Sequence, residues 1–506
     1  MELLTERYAD KISGVLSCFD RVVIQGTLPT FCHAQGMAAF LSYKKIRIFD
    51  YPRFAEPLRD ALRENAQRVA SENGLEIEFI RKNNFRKEKR IQEILEVRGA
   101  HPGLVHIFSA MEPCHTYKAW HDKQTHKTFL KPDNGKCLHY YFYFIDEEFG
   151  LGYVRVPTWC PFRLQIYFNG HSWLQLRLID SRIPHRLLDN SFCEVSDFSQ
   201  AQSLSDAFKV DRLHTRLDLF AERFCPIIKE FDLRYHWSIM QAEYATDIVF
   251  KHREDLQSIY GHLTRTAIHA VKPHNIATFL GRKLHDKYEG EMGNNFNTRI
   301  EGTRIKHSMG PVSIKMYDKF GLILRIETTV NDVSFFKHYR TVEHRDGSES
   351  KKLAQMKKGI YSLPALSQLL VAANRRYLEF ISAIDDPSAG IKKLDKISRT
   401  VNRKHRFYRG FNLFDDDDQL LFESIASGEF TITGFQNKHL RFKLPGKNSA
   451  QVSRIIKRLH VHGLIRKIAH TYKYYLTKFG KQVVTMGLKL KELVIIPHLA
   501  GHLNLA

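Results

Sequence analysis

The stretch from Phe296 to Val330, FNTRIEGTRIKHSMGPVSIKMYDKFGLILRIETTV, constrains this chain more than any other. It reads as three consecutive strands, Thr298–His307, Pro311–Asp318 and Leu322–Thr329. Turns fall at Ser308–Met309–Gly310 and Lys319–Phe320–Gly321, where glycine interrupts each apolar pattern. Side chains two positions apart share one face of a strand. Lys315, Tyr317 and Lys319 therefore project together, and so do Arg325 and Glu327. Two readings of that face are open. One is a solvated or ion-paired sheet surface. The other is a phosphodiester site, with Tyr317 as nucleophile or phosphate ligand and Lys315, Lys319 and Arg325 answering the phosphate charge.

What surrounds the stretch narrows the choice of partner. The chain has 506 residues, a length for about three domains, and 43% hydrophobic and 12% aromatic residues allow large cores. Its net charge of +22 favours a polyanion, because lysine and arginine neutralise phosphates and release counterions. No run reaches the roughly 18 apolar residues of a membrane span, so a membrane is not an expected partner. The opening MELLTERYADKISG lacks the apolar core of a secretion signal. Seven cysteines, scattered and never in CxxC spacing, read as reduced cytoplasmic thiols.

The pattern predicts an α+β multidomain chain: an N-terminal α/β unit, central mostly antiparallel sheets with helices, and a C-terminal winged helix. Residues 1–100 give strands at Asp20–Leu28, Ile46–Tyr51 and Leu75–Arg81, and helices at Pro52–Asn73 and Arg86–Arg98. Asp20, heading an apolar strand, is either a strand-capping residue or the counterpart of the first metal ligand in a ribonuclease-H-like nuclease. Residues 101–235 are β-rich and then helical, with strands at Leu104–Ala110, Leu138–Ile145, Gly152–Thr158 and Arg163–Phe168. Between the first two runs lies a polar loop holding Cys114, His115, His121, His126, Cys137 and His139, whose spacings match no ordinary zinc site. Tyr117 and Trp120 in that loop could stack on bases while Lys118, Lys123 and Lys127 meet phosphates.

Residues 236–345 form the expected nucleic-acid-processing sheet domain. In Tyr235–Lys251, Glu243 and Asp247 fall on one face whether the stretch is strand or helix, a pair suited to a shared divalent ion or to ion pairing with basic neighbours. Lys283–Asn297 reads as a loop, Ser362–Ile384 as a helix, and Lys392–Arg409 as a basic linker within residues 346–405.

The last segment, 406–506, predicts helices at Asp415–Ser427, Thr433–Leu444 and Ser449–His462. A hairpin follows, with strands Leu464–Ile468 and Tyr472–Leu476 around Ala469–His470–Thr471, and then a helix at Lys478–Leu490. Val452, Ile455, Ile456 and Leu459 make the apolar stripe of the third helix. Residues 404–506 carry 17 Lys/Arg against 7 Asp/Glu, +10 of the +22. NSAQVSRIIKRLHVHGLIRKIAHTYKYYLTKFGKQVV resembles the DNA-binding module of MarR-type regulators, about a fifth of the chain. The resemblance implies that Ser449, Gln451, Arg454, Lys457 and Arg458 face bases or phosphates, and that Arg466, Lys467, Lys473 and Tyr474 form the wing. His460–Val461–His462 has the His-hydrophobic-His form of a metal motif but falls at the end of a helix, which makes it structural or phosphate-contacting.

AEYATD (Ala242–Asp247), IKMYDK (Ile314–Lys319) and LRIE (Leu324–Glu327) distantly resemble rolling-circle replication initiators of the filamentous-phage gene II and staphylococcal-plasmid types. That resemblance implies Tyr317 as nucleophile, Lys319 as its phosphate partner, and Glu243, Asp247 and Glu327 as ligands of Mg2+ or Mn2+, in a protein that nicks DNA. Two other classes stay open: a winged-helix regulator without catalysis, and a protein that binds structured RNA through exposed aromatics near Trp120 and Tyr140–Phe144. Oligomer formation is open as well.

Overall fold

A computed structural model describes residues 3–82, 84–231, 233–284, 288, 290–299, 302–384, 397–403, 405–468 and 471–490. The chain is α+β, in two compact units assembled from separated stretches. The N-terminal unit is Ser17–Tyr244 with Val330–Ser367, and the C-terminal unit is Met1–Leu16, Ala245–Thr329 and Gln368–Ala506.

A single turn, α1 (Leu4–Arg7), precedes β1 (Ile12–Thr27). In the N-terminal unit α2 (Ala34–Tyr43) and α3 (Tyr51–Glu72) follow, then β2 (Ile77–Phe79) and α4 (Lys87–Arg98). The strand expected at Ile46–Tyr51 is not formed. A 3-10 turn at Ile48–Asp50 leads straight into α3, whose second residue is Pro52, a residue suited to the first helical turn. Next come β3 (Gly103–Asp122), β4 (Lys127–Asp146), β5 (Gly150–Pro157), β6 (Leu164–Phe168) and α5 (Gly170–Asp180). A small hairpin, β7 (His185–Leu188) and β8 (Ser191–Val195), precedes α6 (Phe198–Asp206), α7 (Val210–Phe224) and β9 (His236–Phe250). The sheet of this unit runs β9-β1-β6-β5-β4-β3-β2, antiparallel except where β2 meets β3.

Two expectations fail in β3 and β4. The polar stretch between them is no loop: Cys114 pairs with Gly135, Trp120 with Phe129 and Asp122 with Lys127 in one unbroken ribbon. Asp122 closes its turn, accepting from the Gln124 backbone at 2.9 Å and the Thr125 hydroxyl at 2.7 Å. Tyr117 is buried and donates to the Phe31 carbonyl, so it is not a stacking surface. Tyr140–Phe144 are likewise buried, because β4 is covered on both faces. Phe142 and Phe144 lie 4.5 Å from the rings of Phe224 and Phe220 on α7, while Tyr141 and Tyr143 pack with Ile91 of α4.

In the C-terminal unit, α8 (Arg253–His269) and α9 (Pro273–Phe279) lead into β10 (Met292–Arg299), β11 (Gly302–Met309), β12 (Val312–Lys319) and β13 (Ile323–Val330). The sheet runs β10-β11-β12-β13-β9. The meander expected from Phe296 onward is present, preceded by β10, a strand in the stretch read as a loop. Asn294, Asn295 and Asn297 hide β10 from periodicity, and pairing from Met292↔Met309 to Arg299↔Gly302 holds it. Ile300 and Glu301, in the first expected strand, lie outside the described residues.

The chain returns to the N-terminal unit as a hairpin, β14 (Lys337–Glu343) and β15 (Glu349–Gln355), and then enters α10 (Leu363–Ile384). The breaker expected at Asp385–Gly390 is outside the described residues, as is part of the basic linker. The described part of the linker holds the short strands β16 (Val401–Arg403) and β17 (Arg406–Tyr408), and its Ile397 is buried in the core of the module that follows. The end of the chain holds α11 (Asp416–Ala426), α12 (Gly428–Thr433), α13 (Asn437–Lys443), α14 (Ser449–Val461), β18 (Ile465–Lys467), β19 (Tyr474–Leu476) and α15 (Lys478–Lys489). The expected helix at Thr433–Leu444 is interrupted at Gly434, whose φ of 67° ends α12 and lets Phe435 bridge to Tyr474. Ala469–His470, the expected hairpin turn, lie outside the described residues. Among the described residues no helix is long and apolar enough to cross a membrane.

Candidate functional site

In the N-terminal unit the chemistry centres on Asp20. It lies in the middle of β1 and not at its head, because the strand begins eight residues earlier than the apolar run suggests. Three contacts fix the pairing of β1 with β9. The rings of Phe19 and Tyr244 meet edge to face at 5.0 Å, the Ser238 hydroxyl donates to the Gln25 carbonyl at 3.4 Å, and a Cβ on Gly26 would come within 2.5 Å of Trp237. The two residue numbers in each pair have the same sum, so the strands are antiparallel and Asp20 faces Glu243. Their carboxylate oxygens lie within 4.8 Å of each other.

Asp20 is 6% exposed. The Asn190 amide donates to its Oδ1, and His171 Nδ1 lies 3.1 Å from the same oxygen. His171 is brought there by the first turn of α5: a Cβ on Gly170 would sit 2.1 Å from the Phe19 carbonyl, so only glycine permits the approach. A hard divalent cation takes carboxylate oxygens as ligands, so two carboxylates at this separation fit Mg2+ or Mn2+.

In the C-terminal unit the predicted face of β12 is formed: Lys315, Tyr317 and Lys319 alternate with buried neighbours. Glu327 on β13 gathers two of them. Its Oε1 accepts from Lys315 Nζ at 2.6 Å and its Oε2 from the Tyr317 hydroxyl at 2.6 Å. At the end of the strand the Lys319 ammonium lies 5.3 Å from the Phe320 ring centre. Arg325 is fully buried and grips Asp247 with two bonds, Nε to Oδ1 at 2.6 Å and Nη2 to Oδ2 at 2.7 Å. Of the readings open for these two residues the ion pair is the one formed: Arg325 cannot reach a phosphate from the core, and Asp247 has both oxygens committed. Glu243 and Asp247 also stand four residues apart on one strand, about 13 Å at the usual rise, too far to share an ion.

The C-terminal residues divide by exposure. Arg454 and Lys457 on α14, Arg466 and Lys467 on β18, and Lys473 are exposed. Ser449 is exposed beside Asn437, 3.3 Å from its Oδ1. Gln451 is exposed but forms a reciprocal cap with Asn448, at 2.7 and 3.0 Å. Arg458 is internal: it holds both oxygens of buried Asp418 at 2.7 and 2.8 Å, donates to the Arg409 and Gly410 carbonyls, and lies 3.8 Å over the Phe411 ring. Tyr474 packs on the module's core. The exposed aromatic of the hairpin is Tyr472, with Lys467 5.3 Å from its ring centre. Of the two roles open for His462 the structural one is formed, its nitrogens 2.9 and 3.3 Å from the Arg458 and Arg399 carbonyls.

Sequence reasoning raised Asp20 and Glu243 separately, as metal ligands in different settings, but missed that they face each other, together with His171 and Asn190. A strand-to-strand register leaves no local trace, so the two acids, each in its own strand-like run, carried no sign of their pairing. No family model, no curated protein and no solved structure matches the chain.

Proposed function

We propose that the protein binds nucleic acid and cleaves its phosphodiesters with Mg2+ or Mn2+ held by Asp20 and Glu243. The observation that carries this reading is the pair of carboxylates facing each other across β1 and β9, one of them buried, with oxygens close enough together for one ion to take both as ligands. A bound divalent ion there supplies Lewis-acid polarisation of a phosphate. The Asn190 amide holds the Asp20 carboxylate and His171 stands beside it, as partners behind a metal ligand do. The net charge of +22 and the exposed Arg454, Lys457, Arg466, Lys467 and Lys473 support a nucleic-acid partner, with DNA favoured by the helix and hairpin order of the C-terminal module.

A second reading, nicking through Tyr317, is favoured by its 2.6 Å bond to Glu327. In that step the phenolic oxygen bonds to phosphorus and its proton passes to Glu327, while the bond to the leaving 3′ oxygen breaks and that oxygen takes a proton from water, giving a 5′-phosphotyrosine and a 3′ hydroxyl. Incubation of labelled DNA with Mn2+ tests both. Cleavage lost in Glu243→Gln supports the metal reading. A covalent adduct lost in Tyr317→Phe supports the tyrosine reading, while undiminished cleavage in that variant removes it. Tight binding of DNA or RNA without cleavage contradicts both and leaves a regulator or an RNA-binding protein.

A further inference from the structure

The outer part of the β3–β4 ribbon stands beyond the last pairing of β4 with β5, His139↔Pro157. One face of it is anchored to the unit through buried Tyr117 and Leu130. The opposite face shows three successive cross-strand pairs: Lys118↔Lys131, Trp120↔Phe129 and Asp122↔Lys127. Trp120 is 46% and Phe129 42% exposed, a large aromatic pair left open to solvent. Lys131 Nζ lies 5.4 Å from the Trp120 ring centre.

Two features of this face are unfavourable for the protein alone. Directly opposed lysines repel, and uncovered aromatic surface forgoes the hydrophobic gain of burial. Both are relieved by a ligand that is anionic at short intervals and has flat apolar faces between its charges. The geometry points to the outer face of this ribbon as a binding site for single-stranded nucleic acid, with Trp120 and Phe129 stacking on bases and Lys118, Lys127 and Lys131 meeting phosphates. A duplex is a poor occupant, since its bases already stack on each other and offer no free face. The inference rests on the nucleic-acid reading above but assigns the single strand to a surface separate from the acidic pair and from α14.

The test uses the full chain and fluorescence anisotropy, with a labelled oligothymidine and a mixed-sequence duplex, in EDTA so that nothing is cleaved. Trp120→Ala with Phe129→Ala removes only exposed rings, and thermal unfolding confirms that the fold is kept. We expect single-strand affinity to drop about tenfold or more in this variant, with duplex affinity unchanged. Lys118→Gln with Lys131→Gln flattens the slope of log affinity against log salt by about 1.4, or roughly 0.7 for each phosphate no longer neutralised. Unchanged single-strand affinity in the aromatic variant, or an equal drop for both ligands, overturns the inference. A parent protein that binds only duplex overturns it while the nucleic-acid reading stands, and one that binds neither overturns both.

Discussion

Arg325 and Asp247 form a two-bond ion pair in the core of the C-terminal unit, with the arginine wholly removed from solvent. A buried charge left without its partner keeps the full cost of desolvation. Arg325→Leu is therefore expected to destabilise the C-terminal unit by about 3–5 kcal/mol, and Asp247→Asn by a similar amount. Replacing both together with apolar residues recovers much of that stability. Denaturant titration reads all three. A fully stable Arg325→Leu protein with impaired nucleic-acid binding would return Arg325 to the site.

The basic residues of α14 separate in the same manner. Arg458 is tied to Asp418 and Phe411, so Arg458→Ala is expected to lower stability by about 2–3 kcal/mol. Lys457→Gln and Arg454→Gln, on the exposed side, leave the melting temperature unchanged. Each instead reduces the salt dependence of duplex binding by about one unit of slope. Melting curves and binding isotherms at several salt concentrations check the contrast.

Acid sensitivity follows from buried histidines. Burial pushes His307 down to about 4 in the folded protein, and burial together with the nearby Arg155 charge does the same to His139. The unfolded chain protonates these rings near pH 6.5. Between about pH 6.5 and 4 the unfolded state therefore binds protons that the native state does not, and stability falls as pH drops through that window, by up to about 3 kcal/mol per histidine. His307→Gln is expected to show a shallower acid limb than the parent. Parallel curves of stability against pH for the two proteins would contradict this.

Gly170 offers a test of how the acidic site is held. A methyl group there collides with the Phe19 carbonyl, next to Asp20 in the chain. Gly170→Ala is expected to destabilise by about 1–3 kcal/mol and to weaken divalent-metal binding, through displacement of His171 from Asp20. A variant that loses stability yet binds Mn2+ as tightly as the parent would detach His171 from the site.

The parts of the fold that could be read along the chain are those whose signals are local. The face of Lys315, Tyr317 and Lys319 and the third C-terminal helix are both set by spacing, and both formed as expected. What could not be read depends on partners distant in sequence. Arg325 and Asp247 are separated by 78 positions and Asp20 and Glu243 by still more, so no local pattern distinguishes an ion pair from a metal ligand. Tyr140–Phe144 looked like an exposed aromatic run because alternation marks one face, whereas α4 and α7 cover both. Polar content disguised β10 and the outer β3–β4 ribbon as loops, since backbone pairing holds them where periodicity does not.

The central claim is that Asp20 and Glu243 hold a divalent cation. The direct measurement is thermal unfolding of the parent and Glu243→Gln with and without Mn2+. The parent is expected to gain stability with Mn2+, about 2.7 kcal/mol at a hundredfold excess over Kd. Glu243→Gln is expected to gain nothing when Mn2+ is added, because one of the two carboxylate ligands is gone. The same Mn2+ increment in both proteins would contradict the account.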